Sequence, residues 1–195
     1  MAWDGATGNR AGYFAEKSVA YRADLQPDGS AHVTIRLTLR NTAPPGPPSI
    51  LLGFPGAGVP IGTYWAYANV YLPEGAEDIR GGVLGEPSVN LIEREFGHPV
   101  VLQLLRVTPG RRVTGTISYR LRDAVTEVGD REGYRVDVLP QPALRPDEYS
   151  VDIVPPSGSA IEAADPPMAI QGGDAHYQGA PVVRTTLQVW IEPRQ

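Results

Sequence analysis

The chain has 195 residues, with 17 basic and 22 acidic side chains and a net charge of −5. That balance argues against nucleic acid as a partner, because phosphate recognition needs a basic footprint. The absence of cysteine excludes thiol catalysis, cysteine-ligated zinc and a disulfide framework. The 22 glycines and 20 prolines are scattered between apolar runs, so they read as turn punctuation.

No apolar run approaches the roughly 18 residues of a membrane span, so no membrane insertion by this segment is expected. The opening Met-Ala-Trp-Asp-Gly-Ala-Thr-Gly-Asn has neither the basic start nor the apolar stretch of a signal peptide. A cytoplasmic location is therefore expected if this is a whole gene product. If it is part of a longer chain, the upstream segment decides the compartment.

Val19, Tyr21, Ala23 and Leu25 alternate with polar or small neighbours, and Val33, Ile35, Leu37 and Leu39 do the same after Pro27-Asp28-Gly29-Ser30. Two period-2 runs around a turn in which proline presets φ and glycine accepts positive φ predict a β-hairpin with one buried face. Ile50-Leu51-Leu52 is a short strand candidate between a Pro-rich loop at 41–48 and a Gly/Pro-rich one at 53–62. Further strands are expected at 64–72, ended by Pro73-Glu74-Gly75, and at 98–107. After a Pro109-Gly110 turn, Val113, Gly115, Ile117, Tyr119 and Leu121 alternate with Thr, Ser and Arg.

The polar stretch 123–133 is the expected boundary. Beyond it come Tyr134-Val136-Val138, the Pro140-Gln141-Pro142 interruption, Tyr149-Val151-Ile153, and a last strand with Val183, Leu187, Val189 and Ile191 on one face. Short strands at this spacing, with no helical period, predict an all-β, Ig-like, mainly antiparallel β-sandwich. We expect a lead-in at 1–16, a larger sandwich at 17–125 and a smaller Ig-like one at 130–195, packed together.

No catalytic, cofactor or metal site is predicted, and the chain reads as non-enzymatic. His32, His98 and His176 are far apart, without metal-ligand spacing. Ser157 and Ser159 lack a nucleophile elbow. The glycines of 53–58 have flanking prolines and no lysine, unlike a phosphate loop. Glu93 and Glu95 share a strand face, but nothing supplies a partner across a cleft. No Asp-x-Asp-x-Asp-Gly calcium loop occurs.

Two patterns offer a glycan or partner surface. Trp65, Tyr67, Asn69 and Tyr71 share one face of a strand and Ala66, Ala68, Val70 and Leu72 the other. Both faces are apolar enough for burial, so the expectation is that the aromatic stripe packs in the core. A glycan platform, with rings stacking on sugars, is the alternative. The polar faces of 31–40 and 112–122 are rich in Thr and Arg. Within one sheet, Arg36, Arg40, Arg112 and Arg120 would form an arginine-studded surface suited to anionic groups.

Several segments carry a family resemblance: Gly8-Asn9-Arg10 before Tyr13-Phe14, Val19-Ala20-Tyr21-Arg22, Asp28-Gly29, and Leu37 to Pro44. They continue with Val70-Tyr71-Leu72-Pro73, Gly75-Ala76, Pro109-Gly110, Ile117 to Leu121, and Gln141-Pro142. In these strand-and-turn patterns the chain resembles the C-terminal region of an actinobacterial, membrane-anchored family called domain of unknown function 4012. The resemblance implies an extracytoplasmic module that follows a membrane helix and a larger N-terminal domain, on the outer face of the cell membrane or in the cell wall. It implies a role linked to exopolysaccharide assembly. The implied partners are the rest of the chain, envelope polysaccharide or another envelope protein. It carries over no catalytic residue.

Overall fold

The computed structural model describes residues 2–5, 10–54, 58–83, 91–128, 131–141, 143 and 145–193. Strands hold 63% of them. One 3-10 turn, Ala11–Phe14, is present, and no helix among the described residues is long and apolar enough to cross a membrane. The fold is an all-β sandwich built from three mostly antiparallel sheets. Gly8-Asn9, the centre of the 53–62 loop at 55–57, and Pro142 lie outside the described residues.

The expected hairpin is formed by β2 (Ala15–Leu25) and β3 (Ala31–Asn41), paired from Ala15 opposite Asn41 to Leu25 opposite Ala31. Its loop closes locally. The Gly29 amide donates to Gln26 at 3.0 Å, Gly29 takes φ 77°, and the Asp28 carboxylate accepts from the Ser30 amide and hydroxyl at 3.0 and 2.6 Å. On β3 the residues Val33, Ile35, Leu37 and Leu39 are buried, while His32, Arg36 and Arg40 are exposed. The period-2 pattern here sorts the side chains as it does in any half-buried strand.

Around this hairpin lies a seven-stranded sheet. On one side are β8 (Arg112–Leu121) and β5 (Ala76–Val83); on the other are β11 (Glu148–Val154), β14 (Asp174–Gly179) and β13 (Ala169–Gln171). A four-stranded sheet runs β1 (Ala2–Gly5), β4 (Tyr64–Tyr71), β7 (His98–Val107), β6 (Leu91–Glu95). A second four-stranded sheet runs β12 (Ser159–Asp165), β15 (Thr185–Pro193), β10 (Arg131–Val138), β9 (Thr126–Val128).

The stretch 123–133 holds β9 and the start of β10, which pair with each other, and the sheets do not divide there. Strand β11 pairs in parallel with β2, from Glu148 opposite Ser18 to Val154 opposite Asp24. One contiguous core runs from Ala11 through Leu39, Val70 and Ile153 to Ile191 and takes side chains from all three sheets. The 1–16 lead-in likewise contributes a strand, since β1 pairs with β4.

Two local expectations are corrected. Ile50-Leu51-Leu52 is a turn closed by a Ser49–Gly53 bridge, in which only Leu52 is buried. A three-residue apolar run between prolines has no partner strand to satisfy its amides. Val183 is exposed and precedes β15, whose buried face is Leu187, Val189 and Ile191.

One buried amide ties several of these pieces together. Asn41, fully buried, donates from Nδ2 to the carbonyls of Gly62 and Val107, both at 2.8 Å, and accepts from the Ala43 amide at 2.9 Å. The end of β3, the 58–63 loop and the end of β7 are thereby held by one side chain, which satisfies backbone groups that burial would otherwise leave unpaired.

Candidate functional site

Strand β4 has two apolar faces, which differ in side-chain volume at the middle of the strand. Tyr64, Ala66, Ala68 and Val70 are buried, with both alanines at 0% exposure. Small inward residues let β4 lie close against the core. The opposite face carries Trp65 and Asn69, half-buried, and Tyr67 and Tyr71, 40% and 43% exposed. The expectation that the aromatic stripe packs in the core is therefore corrected: it lies on the outer face of its sheet.

Register places Trp65 opposite Arg106, Tyr67 opposite Leu104 and Asn69 opposite Leu102 on β7. The Arg106 guanidinium sits 5.7 Å from the Trp65 ring centre, a cation–π contact. The Tyr71 hydroxyl donates to Glu95 Oε2 at 2.8 Å. These contacts orient two of the rings and leave the Tyr67 and Tyr71 faces open to solvent. Successive same-face residues on a strand stand about 6.6–7 Å apart, so the rings form a row along the sheet.

The arginine surface lies on the other side of the core. Strands β3 and β8 pair directly, so Arg36, Arg40, Arg112 and Arg120 share the outer face of the seven-stranded sheet. Arg40 stands opposite Arg112, Arg36 opposite Thr116 and Arg120 opposite His32. Arg120 pairs with Asp28 at 2.9 Å and Arg40 with Glu16 at 3.1 Å. Hydrogen bonds from Ser30, helped by the nearby Arg120 charge, hold the Asp28 carboxyl below the usual carboxylate range. Arg36 and Arg112 have no carboxylate partner among the described residues.

At one end of this face Glu16, Ser18, Thr38, Arg40, Arg112 and Arg145 surround a half-open cavity of about 330 Å³. Glu16 Oε1 also receives Arg145 at 3.6 Å. Sequence reasoning misses Glu16, Arg145 and Glu148, a further residue of the rim. Their proximity follows from the β11–β2 pairing, which no local pattern announces.

The histidines stand apart. His32 is exposed on β3, His98 Nδ1 lies 3.1 Å from the Leu72 carbonyl, and His176 Nδ1 lies 2.7 Å from Asp152. No group of three or more metal-ligating side chains occurs among the described residues. Glu93 and Glu95 are both exposed on β6.

No family model and no curated protein sequence matches the chain. Its fold is similar to that of a Legionella pneumophila protein whose crystal structure is described as that of a "putative nutrient binding protein", with a TM-score of 0.51 and 12% identity. The match covers 96% of this chain and 69% of that one. At that identity the likeness concerns the fold alone.

Proposed function

We propose that this chain is a non-catalytic extracytoplasmic interaction module of a cell-envelope protein, and that it binds carbohydrate through the outer face of β4. The observation that carries this reading is the row of exposed Tyr67 and Tyr71 and half-buried Trp65 on a strand whose other face is core. Aromatic faces stack on the apolar faces of sugar rings, and the phenolic hydroxyls and Asn69 add polar contacts at the edge. Arg106 and Glu95 hold Trp65 and Tyr71 in place, which lowers the entropy lost on binding. The envelope setting rests on the family resemblance. The binding role rests on the aromatic row of β4.

Affinity electrophoresis through gels containing envelope polysaccharide tests the proposal. The native protein is expected to be retarded, and Tyr67→Ala and Tyr71→Ala each to lose most of the retardation. Trp65→Ala is expected to lose binding while costing about 1–2 kcal/mol, below the roughly 3–5 kcal/mol of an aromatic deleted from a core. Ala68→Leu on the buried face is expected to destabilise by about 1–3 kcal/mol through overpacking. Unretarded native protein, or retardation of all three aromatic variants equal to that of the native protein, rejects the reading.

A further inference from the structure

Neighbouring strands in a sheet normally avoid like charges directly opposite one another, because the pair is destabilising. Arg40 and Arg112 break that rule, standing opposite each other at the end of β3 and β8. The guanidinium of Arg145 joins them at the mouth of the 330 Å³ cavity. Against these three cations stand two carboxylates, Glu16 and Glu148. Glu16 is shared between Arg40 and Arg145, at 3.1 and 3.6 Å, and Arg112 has no carboxylate partner among the described residues. Lys17 also lines the cavity, but its ammonium lies 3.7 Å from Asp147, which is only 3% exposed.

Ser18 and Thr38, opposite each other in the register of β2 and β3, also line the cavity and bring hydroxyls to it. The three arginines are surface side chains, so each can turn its planar fork toward a ligand. The charge imbalance, the forks and the hydroxyls share one complement. An oxyanion accepts paired N–H bonds from guanidinium groups and further bonds from hydroxyls.

We propose that this cavity is a binding site for an oxyanion group on a ligand, a carboxylate or a phosphate. Arg112 supplies the uncommitted fork, and Arg40 and Arg145 supply the others. The bound anion offsets the repulsion between Arg40 and Arg112. Glu16 occupies the arginines in the free protein and competes with the ligand. The site lies on a different sheet from Trp65, so its failure would leave the aromatic-face reading untouched.

Isothermal titration calorimetry at low ionic strength, with inorganic phosphate and with galacturonate as separate probes, tests this. Saturable binding of at least one probe is expected. Binding of phosphate alone assigns a phosphorylated ligand, and binding of galacturonate alone assigns an acidic sugar. Arg112→Gln is expected to weaken binding at least tenfold, and Glu16→Gln, which removes the competitor, to tighten it. Arg131→Gln, an equal loss of charge on β10, is expected to leave it unchanged. Absence of saturable binding for both probes, or equal weakening by Arg112→Gln and Arg131→Gln, overturns the proposal.

Discussion

The phenolic oxygens of Tyr21 and Tyr134 lie 2.5 Å apart, in a hydrogen bond that joins the seven-stranded sheet to β10. Tyr119, on β8, is buried in the same core, against which the half-buried Tyr21 packs. Removing either hydroxyl of the Tyr21–Tyr134 pair deprives the other of this partner. Tyr21→Phe is therefore expected to cost about 1–3 kcal/mol, the range for leaving a buried polar group unpaired. Tyr134→Phe is expected to cost about as much, because Tyr21 then loses the same partner. In a double-mutant cycle read by urea denaturation, the double variant should cost less than the sum of the single ones, with a coupling of roughly 0.5–3 kcal/mol. Additive costs would show that the hydroxyls contribute separately.

The tyrosines Tyr21, Tyr119 and Tyr134, together with Tyr149, make stability fall at alkaline pH. Burial, first of all, pushes Tyr134 up to about 12 and raises Tyr21 and Tyr119 as well. In the unfolded chain each tyrosine ionises near pH 10. Above that pH the unfolded state releases protons that the folded state retains, so rising pH favours unfolding. Stability from these groups is complete below about pH 10 and falls as the pH rises through 12, by about 1.4 kcal/mol per pH unit for each tyrosine that stays protonated. Urea midpoints between pH 9 and 11.5 check this, and Tyr21→Phe/Tyr134→Phe should show a shallower decline. A flat native profile would contradict it.

Asn41 has no equivalent replacement. In Asn41→Leu the carbonyls of Gly62 and Val107 and the amide of Ala43 lose their partner in a buried place. At about 1–3 kcal/mol for each group left unpaired, a total near 3 kcal/mol or above is expected. For a chain of this size that corresponds to a fall of about 6–12 °C in Tm, measurable by calorimetry. A change under about 2 °C would mean that water takes over the amide's bonds.

Two glycines with positive φ separate strain from clash. Gly29, φ +77°, has open space where a Cβ would stand, whereas a Cβ on Gly81, φ +112°, would lie 2.0 Å from the Thr116 carbonyl oxygen. Gly81 sits in β5 beside the irregular register between Glu77 and Arg80. Gly29→Ala is expected to cost about 1 kcal/mol for its backbone conformation alone. Gly81→Ala, which must also push the backbone of β5 away from β8, should cost more than about 3 kcal/mol. Equal costs would indicate that edge strand β5 shifts freely.

What the sequence by itself determined is local. The hairpin of β2 and β3 was legible because strict alternation and a Pro-Asp-Gly-Ser turn act within a few residues. The Pro109-Gly110 turn between β7 and β8 was legible for the same reason. The conditional surface of Arg36, Arg40, Arg112 and Arg120 followed from alternation, which puts them on polar faces. Only the tertiary structure decided that β3 and β8 are neighbours and that Arg40 meets Arg112. Alternation also names two faces of β4 without saying which one is buried when both are apolar. Packing chose the face of Tyr64, Ala66, Ala68 and Val70, with the two alanines fully buried at its middle, and left Tyr67 and Tyr71 outside. The parallel pairing of β11 with β2, and with it the single core and the cavity of Glu16 and Arg145, depends on segments some 130 residues apart. Burial of a shared apolar surface selects such partners, and a period-2 pattern carries no record of which strands will share it.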